Sequence, residues 1–416
     1  MVPSPSTLAV AAAVAGLASA SPAAAAPRTK IGTTFSVNQV RSDNFVPHGP
    51  AQLAKVYAKY GAAMPDGLAQ FMTNLEAMLD LKRRDSGSAK ASPEQYDIQY
   101  LTPVQIGTPA QTLNLDFDSG SSDLWVFSSE TPTGSVNGQA QYDPSKSSSA
   151  KRVNGATWNI TYGDQSSSDG IVFHDTVNVG GVSVDAQAVE AATTVSRQFA
   201  VDSNNDGLLG LAFSKINTVQ PTQEKTFFDN VKANLDSPVW TADLKHNEPG
   251  TYDFGVIDKS KYTGEITYTD VDSSDGFWMF EAAGYGIGNS TAFKASPFKG
   301  IADTGTTLAM LPEALVTQYY SKVAGAKMDQ TQGGYVFSCQ ATLPDFIFGV
   351  GSARYTIPGA YINYAPVDAS GKQCFGGIQA DTGIGFSIMG DIWLKSVFVV
   401  FDGSDSPRLG WAKKTL

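Results

Sequence analysis

Along residues 111–118 apolar side chains fall at every second position, with Leu113, Leu115 and Phe117 alternating with Asn114, Asp116 and Asp118. That period predicts a strand with one buried face that ends on an acid. Ser119 and Gly120 then break the pattern and turn the chain, and a glycine lets main-chain N–H groups approach a carboxylate with no Cβ in the way. Trp158, Ile160 and Tyr162 alternate in the same manner, and the turn residues Gly163-Asp164-Gln165-Ser166 before Gly170-Ile171-Val172-Phe173 predict a hairpin. Helical spacing is found mainly near the start, at Leu53, Val56, Tyr57 and Tyr60 and again at Leu68, Phe71, Met72 and Leu75. Two further short helices are predicted, over about 226–236 and from Leu311-Pro312-Glu313 through Tyr320. With 40 Gly and 21 Pro among short apolar runs, the rest reads as strands and turns, an all-β chain.

The acid turn is repeated. Asp-Ser/Thr-Gly occurs at Asp85, Asp118, Asp303 and Asp381, but the four are not equivalent. Asp85 follows Lys82-Arg83-Arg84 in a polar stretch without a leading strand, and Asp381 has Ile384 where a hydroxyl would stand. Asp118-Ser119-Gly120-Ser121-Ser122 and Asp303-Thr304-Gly305-Thr306-Thr307 both continue with hydroxyls that can hold a carboxylate oxygen. Each also has a distant mate: Leu208-Leu209-Gly210 ends 92 positions after Asp118, and Ile388-Met389-Gly390 ends 87 after Asp303. Near-equal spacing of the same two pieces implies two related lobes that each lend one Asp to a shared cleft. Carboxyls that close share a proton, so one serves as base and the other as acid.

The pair resembles the catalytic motifs of pepsin-like aspartic endopeptidases, and the likeness runs over nearly all of residues 92–416, most nearly to the secreted fungal aspergillopepsin and penicillopepsin type. The resemblance implies a bilobal fold of two β-barrel-like lobes, with Asp118 and Asp303 as the catalytic dyad, no cofactor and no metal. Gly120 and Gly305 belong to the turns, while Ser121 and Thr306 orient the outer carboxylate oxygens or satisfy the backbone of a tight turn. The predicted hairpin becomes the flap over bound peptide, with Tyr162 at its tip, Gly163 beside it, and Trp125 supporting Tyr162 through its indole N–H. Asp164 matches an acid that in similar fungal enzymes admits a Lys side chain beside the cleaved bond, whereas Gln165 departs from their more usual Gly. Lys59-Tyr60 resembles the Lys-Tyr pair with which propeptides of this family cover the dyad.

Charge and leader pattern fit that picture. Residues 1–90 carry a net +4 and residues 91–416 a net −15, so a basic helical stretch precedes an acidic body. It reads as a propeptide laid over its own cleft, or else as a solvated helical domain. The overall −11 excludes a nucleic-acid partner. Residues 7–18 are apolar but too short to span a membrane, and Ala18-Ser19-Ala20 fits a signal-peptidase site, although no Lys or Arg precedes the run. The expected division is a signal peptide over 1–20, a propeptide over 21–90, an N-terminal lobe with the flap over 91–262 and a C-terminal lobe over 263–416. The mature start falls within about 85–92, reached by self-cleavage in acid or by a dibasic-specific protease at Lys82-Arg83-Arg84. In an exported chain Cys339 and Cys374, 35 apart, are most simply a disulfide worth about 3 to 4 kcal/mol, and in a cytosolic one two buried thiols. Asn159-Ile160-Thr161 and Asn289-Ser290-Thr291 are glycan acceptor patterns.

The expected activity is therefore hydrolysis of proteins in acid by a secreted monomer without a membrane anchor, acting on extended polypeptides with bulky apolar residues around the cleaved bond. Its destination is extracellular, or a vacuole. Rival chemistries lack their parts. Of His48, His174 and His246 none stands in a His-Glu-x-x-His pattern, and there is no Gly-x-Ser-x-Gly. A two-carboxylate glycosidase leaves the duplicated turns and the flap unexplained. A binding protein on the same fold with a dead cleft is the strongest non-enzyme alternative.

Overall fold

The structure is a computed structural model that describes residues 33–42, 45, 47–74, 100–161, 167–200, 202–288, 293–368 and 370–416. The apolar leader, Leu75, Lys82-Arg83-Arg84 and Asp85 lie outside the described residues. Strands dominate, as the composition predicts. Gln111–Asp118 pairs antiparallel with Tyr100–Ile106, Leu115 opposite Thr102, and buries Leu113, Leu115 and Phe117 on one face. The opposite face is also covered at its end, where Asp116 and Asp118 are 8% and 0% exposed. Alternation within the strand predicts which side chains share a face, not what lies across from the polar one.

The repeated motifs are paired strands. Gly207–Gly210 runs parallel to the first acid strand, with Leu208 opposite Asp116 and Gly210 opposite Asp118. In the second half Ser387–Met389 runs parallel to Phe298–Ala302, with Ile388 opposite Ile301. The strand after each turn, Leu124–Val126 or Ala309–Leu311, pairs antiparallel with the far side of the same apolar strand. Each acid turn thus loops over the end of an apolar strand. The glycine closing that strand leaves room for it: a Cβ on Gly210 would lie 2.5 Å from the Ser122 backbone, and one on Gly390 would lie 2.3 Å from the Thr306 carbonyl oxygen.

An antiparallel six-stranded sheet contains strands from both sides of residue 262. Its order is Phe35–Asn38, Thr251–Phe254, Val239–Asp243, Phe398–Asp402, Arg408–Lys413 and Thr263–Asp270. Trp240 stacks on Phe401 at 3.7 Å between centroids, and Trp278 meets the same ring edge-on. Fully buried aromatics such as these each contribute about 1.5–3 kcal/mol of transfer free energy or more. Cys339 and Cys374 form the disulfide, Cα atoms 4.8 Å apart, beside the paired strands Gly334–Ser338 and Gln373–Gly376.

The basic N-terminal stretch is ordered against this body over 33–42 and 47–74. Phe35–Asn38 adds an edge strand to the six-stranded sheet, Phe35 opposite Phe254, a strand the sequence reading does not predict. The helix Gly49–Lys59 starts at His48, whose Nδ1 accepts the Ala51 N–H at 3.3 Å, and Pro50 fits its first turn. It buries Leu53, Val56 and Tyr57 as their spacing predicts, and Gly49 packs on the Phe375 ring. A second helix over 66–74 follows, with Leu68 fully buried against Gly333. Of the other two predicted helices, Glu313–Tyr320 forms, and the stretch after Thr226 divides into Phe227–Val231 and a single 3-10 turn.

Candidate active site

Hydrogen bonds that cross between the two turns set the geometry. The Ser119 N–H donates to Thr304 Oγ1 at 3.1 Å and the Thr304 N–H donates to Ser119 Oγ at 2.9 Å. Each hydroxyl then reaches the other strand, Ser119 Oγ to the Ala302 carbonyl at 2.8 Å and Thr304 Oγ1 to the Phe117 carbonyl at 2.6 Å. All four groups are buried, so the exchange satisfies polar backbone that the tight turns leave without a ladder partner. Ser119 and Thr304 are absent from the sequence-derived site, although the repetition of a hydroxyl between Asp and Gly was a usable signal.

That exchange brings Asp118 and Asp303 together, both fully buried. The Gly120 N–H donates to Asp118 Oδ1 at 2.8 Å, and the Gly305 N–H to Asp303 Oδ1 at 3.0 Å. Ser121 Oγ donates to Asp118 Oδ2 at 2.6 Å, and the Thr306 hydroxyl acts on Asp303 in the same way. Each carboxyl also lies over the other turn's glycine, since a Cβ on Gly305 would fall 2.3 Å from Asp118 Oδ1 and one on Gly120 would fall 2.6 Å from Asp303 Oδ1.

Into this space comes the end of the first helix. Lys59 Nζ lies 2.7 Å from Asp118 Oδ1 and 3.0 Å from both oxygens of Asp303, and Tyr60 donates to Asp303 Oδ2 at 2.5 Å. One turn earlier Lys55 pairs with Asp116 at 3.5 Å. Burial disfavours the charged amine of Lys59, but the two carboxyls outweigh it and raise its pKa. The acids divide. Burial pushes Asp118 up, with Lys59 opposing and Asp303 and Asp116 adding to the rise. Burial works against charge on Asp303 too, but Lys59 and the hydroxyls of Thr306 and Tyr60 prevail and hold it below the ordinary carboxylate range.

Beside the dyad, apolar side chains of Ile160, Phe199, Leu208, Ile216 and Phe277 line a cleft, and Tyr60 meets Phe277 and Phe386 edge-on. Trp125 is buried in this wall and stacks near Trp158, and its indole nitrogen has no partner among the described residues. Tyr162, Gly163, Asp164 and Gln165 lie outside the described residues, as does Asn289. The strands leading to them, Lys151–Thr161 and Ser167–Val179, do form the predicted hairpin, and Asn159 on it is exposed. Among the described residues no group of three His, Cys, Asp or Glu side chains is arranged to hold a metal ion.

Known proteins share this arrangement's sequence over most of the chain. The family model described as eukaryotic aspartyl protease matches residues 99–414. Endothiapepsin of Cryphonectria parasitica is 56% identical, covering 91% of this chain and 90% of its own. Aspergillopepsin-1 of Aspergillus fumigatus is 53% identical over 91% of this chain and 92% of its own, and penicillopepsin-2 of Penicillium janthinellum is 50% identical over 96% and 97%. With two duplicated acid turns locked to each other and a family match that covers both, the chain belongs to the eukaryotic aspartyl proteases.

Proposed function

We propose that this chain is a secreted endopeptidase, made as a self-inhibited precursor, that hydrolyses polypeptides in acid with Asp118 and Asp303 as its catalytic pair. The observation that carries the reading is a single nitrogen, Lys59 Nζ, within 3.0 Å of both carboxyls. A group of hydrogen-bonding size at that point touches both acids at once, as a hydrolytic water must. When the segment leaves, water takes the position of the ammonium. The ionised carboxyl removes a proton from that water as it attacks the scissile carbonyl, and the protonated partner donates to the developing oxyanion, with no covalent intermediate. The Gly120 and Gly305 N–H groups and the Ser121 and Thr306 hydroxyls hold the carboxyls in place, so little reorganisation accompanies proton transfer.

An extended peptide fits the long cleft between the flap hairpin and the dyad, and its apolar walls favour bulky side chains on either side of the bond. Asp164 on the flap selects Lys beside that bond by charge pairing. At neutral pH the ionised acids hold Lys59, and acid discharges them and releases the segment over 33–74, the chain then being cut near residues 85–92. A glycan on the exposed Asn159 would stand on the outer side of the hairpin. The test is cleavage of a protein substrate after acidification of the full precursor, with and without pepstatin, for the native chain, Asp118→Asn and Asp303→Asn. Each substitution is expected to lower turnover by about 10²–10⁴-fold or more, and activity that survives either one removes the dyad. A native precursor that stays uncut and inactive in mild acid refutes self-activation.

A further inference from the structure

The loop leaving the Asp118 turn ends on a second pair of buried acids. Asp123 and Glu190, the latter on the strand Val182–Thr194, are 3% and 0% exposed. Asn217 bridges them, its Nδ2 donating to Asp123 Oδ1 at 3.0 Å and to Glu190 Oε1 at 2.8 Å. Thr218 gives the same Asp123 oxygen its N–H at 2.8 Å and its hydroxyl at 3.1 Å. Glu190 Oε2 is buried and has no hydrogen-bond partner among the described residues, and the single Asn217 nitrogen within 3.0 Å of an oxygen of each acid holds the two carboxyls side by side. Two carboxylates cannot bond to each other, but an acid and a carboxylate can, so a retained proton supplies the missing donor.

We propose that Asp123 and Glu190 share one proton and act as positioning residues for peptide cleavage, fastening the cleft wall at 216–218 to the turn that carries Asp118. Ile216 and Thr218 line the cleft beside Asp118, and Asn217 also donates to the Ser122 carbonyl at 3.3 Å, so this cluster ties the wall to the catalytic turn. Burial pushes Asp123 up to about 6 and, together with the Asp123 charge, pushes Glu190 well above the usual carboxylate range.

No cation among the described residues is placed to relieve a doubly charged pair. On the adjoining strand Ser167–Val179, Asp169 bonds to Thr193, Asp175 is held by Tyr142, Ser147 and Ser149, and His174 lies 2.9 Å from Glu224. In the segment 214–226, Lys215 bonds to the Ser274 carbonyl, and Glu224 adds negative charge near Glu190. Asp206, before the apolar strand, accepts the Asn114 and Ala140 N–H groups. A folded-state pKa raised above the unfolded value contributes stability that is present at low pH and lost as pH rises through the folded value. Losing the shared proton therefore sets Glu190 against Asp123, driving the strand Val182–Thr194 away from the catalytic turn and straining the Asn217 bridge that ties the wall to both, and activity declines on the alkaline side.

This inference rests on the endopeptidase reading. The test compares Glu190→Gln with the native enzyme, both activated from the full chain, as kcat/KM against pH. The amide donates at every pH, so the alkaline limb should move up by about one pH unit or more while the acid limb keeps its midpoint. Coincident profiles overturn the proposal, because a purely structural role would change stability without moving the limb. Infrared spectroscopy of the Asp118→Asn, Asp303→Asn precursor covers the case in which Glu190→Gln does not fold. A protonated carboxyl band that persists at pH 6 supports the shared proton, and its absence refutes it. A chain without turnover at any pH that still keeps this band would sink the endopeptidase reading and leave the acid pair standing.

Discussion

Gly120 and Gly305 each serve the acid of the opposite turn, because the space a Cβ would take is filled by Asp303 in one case and Asp118 in the other. The atom in the way is a carboxyl fixed by three hydrogen-bonding partners rather than a free side chain, so it cannot swing aside. Gly305→Ala is thus expected to displace Asp118 rather than to be absorbed. It should cost about 1–3 kcal/mol in a melt and about 100-fold in turnover, which a paired calorimetric and kinetic measurement checks. At this scale the sequence was informative where chemistry repeats within one stretch: Asp118, Asp303, Ser121 and Thr306 are readable from two copies of a short motif. The cross-bonds of Ser119 and Thr304 were not, since the repeated hydroxyl between Asp and Gly marks the two positions but not their partners, which are more than 180 residues away.

Among the elements, the helix Gly49–Lys59 carries Lys59 to the dyad, and its N-terminus holds a titratable cap. His48 accepts the Ala51 N–H through Nδ1 and lies against Phe71 at 5.4 Å between ring centroids. Burial lowers its pKa from 6.5. Protonation removes the acceptor and sets a positive charge at the positive end of the helix. For a histidine with a depressed folded value the released state binds more protons, so docking of the helix weakens as pH falls through 6.5 toward that lower value. His48→Asn keeps an acceptor that does not titrate. In an Asp118→Asn background it should flatten the fall in melting temperature of the full chain between neutral and mildly acidic pH, and an unchanged fall would clear His48 of this role. The helix itself was legible from the spacing of Leu53, Val56 and Tyr57. The strand Phe35–Asn38 was not, because four residues with two apolar positions acquire meaning only from Thr251–Phe254 beside them.

For the molecule as a whole, two features hold regions distant in sequence. The six-stranded sheet joins strands from both halves, so the expected boundary at residue 262 runs through a shared sheet rather than between two independent bodies. The Cys339–Cys374 bridge closes a loop of 35 residues inside the second half. Replacing both cysteines by Ser should cost about 3 to 4 kcal/mol in denaturant unfolding of the full chain carrying Asp118→Asn, a loss well below about 1 kcal/mol being the contrary result. The repeat pointed to two halves, and the opposite charges of segment and body pointed to attraction between them without saying which side chains meet. It did not reveal the shared sheet, because long-range strand order leaves no periodic mark.

The bridge has a practical corollary as well. Both cysteines of the chain are engaged in it, so thiol-specific reagents find no free thiol in the oxidised protein. A cysteine introduced at the exposed position 159 would be a unique attachment point, and a fluorophore there would follow the hairpin through each catalytic cycle without labelling anything else.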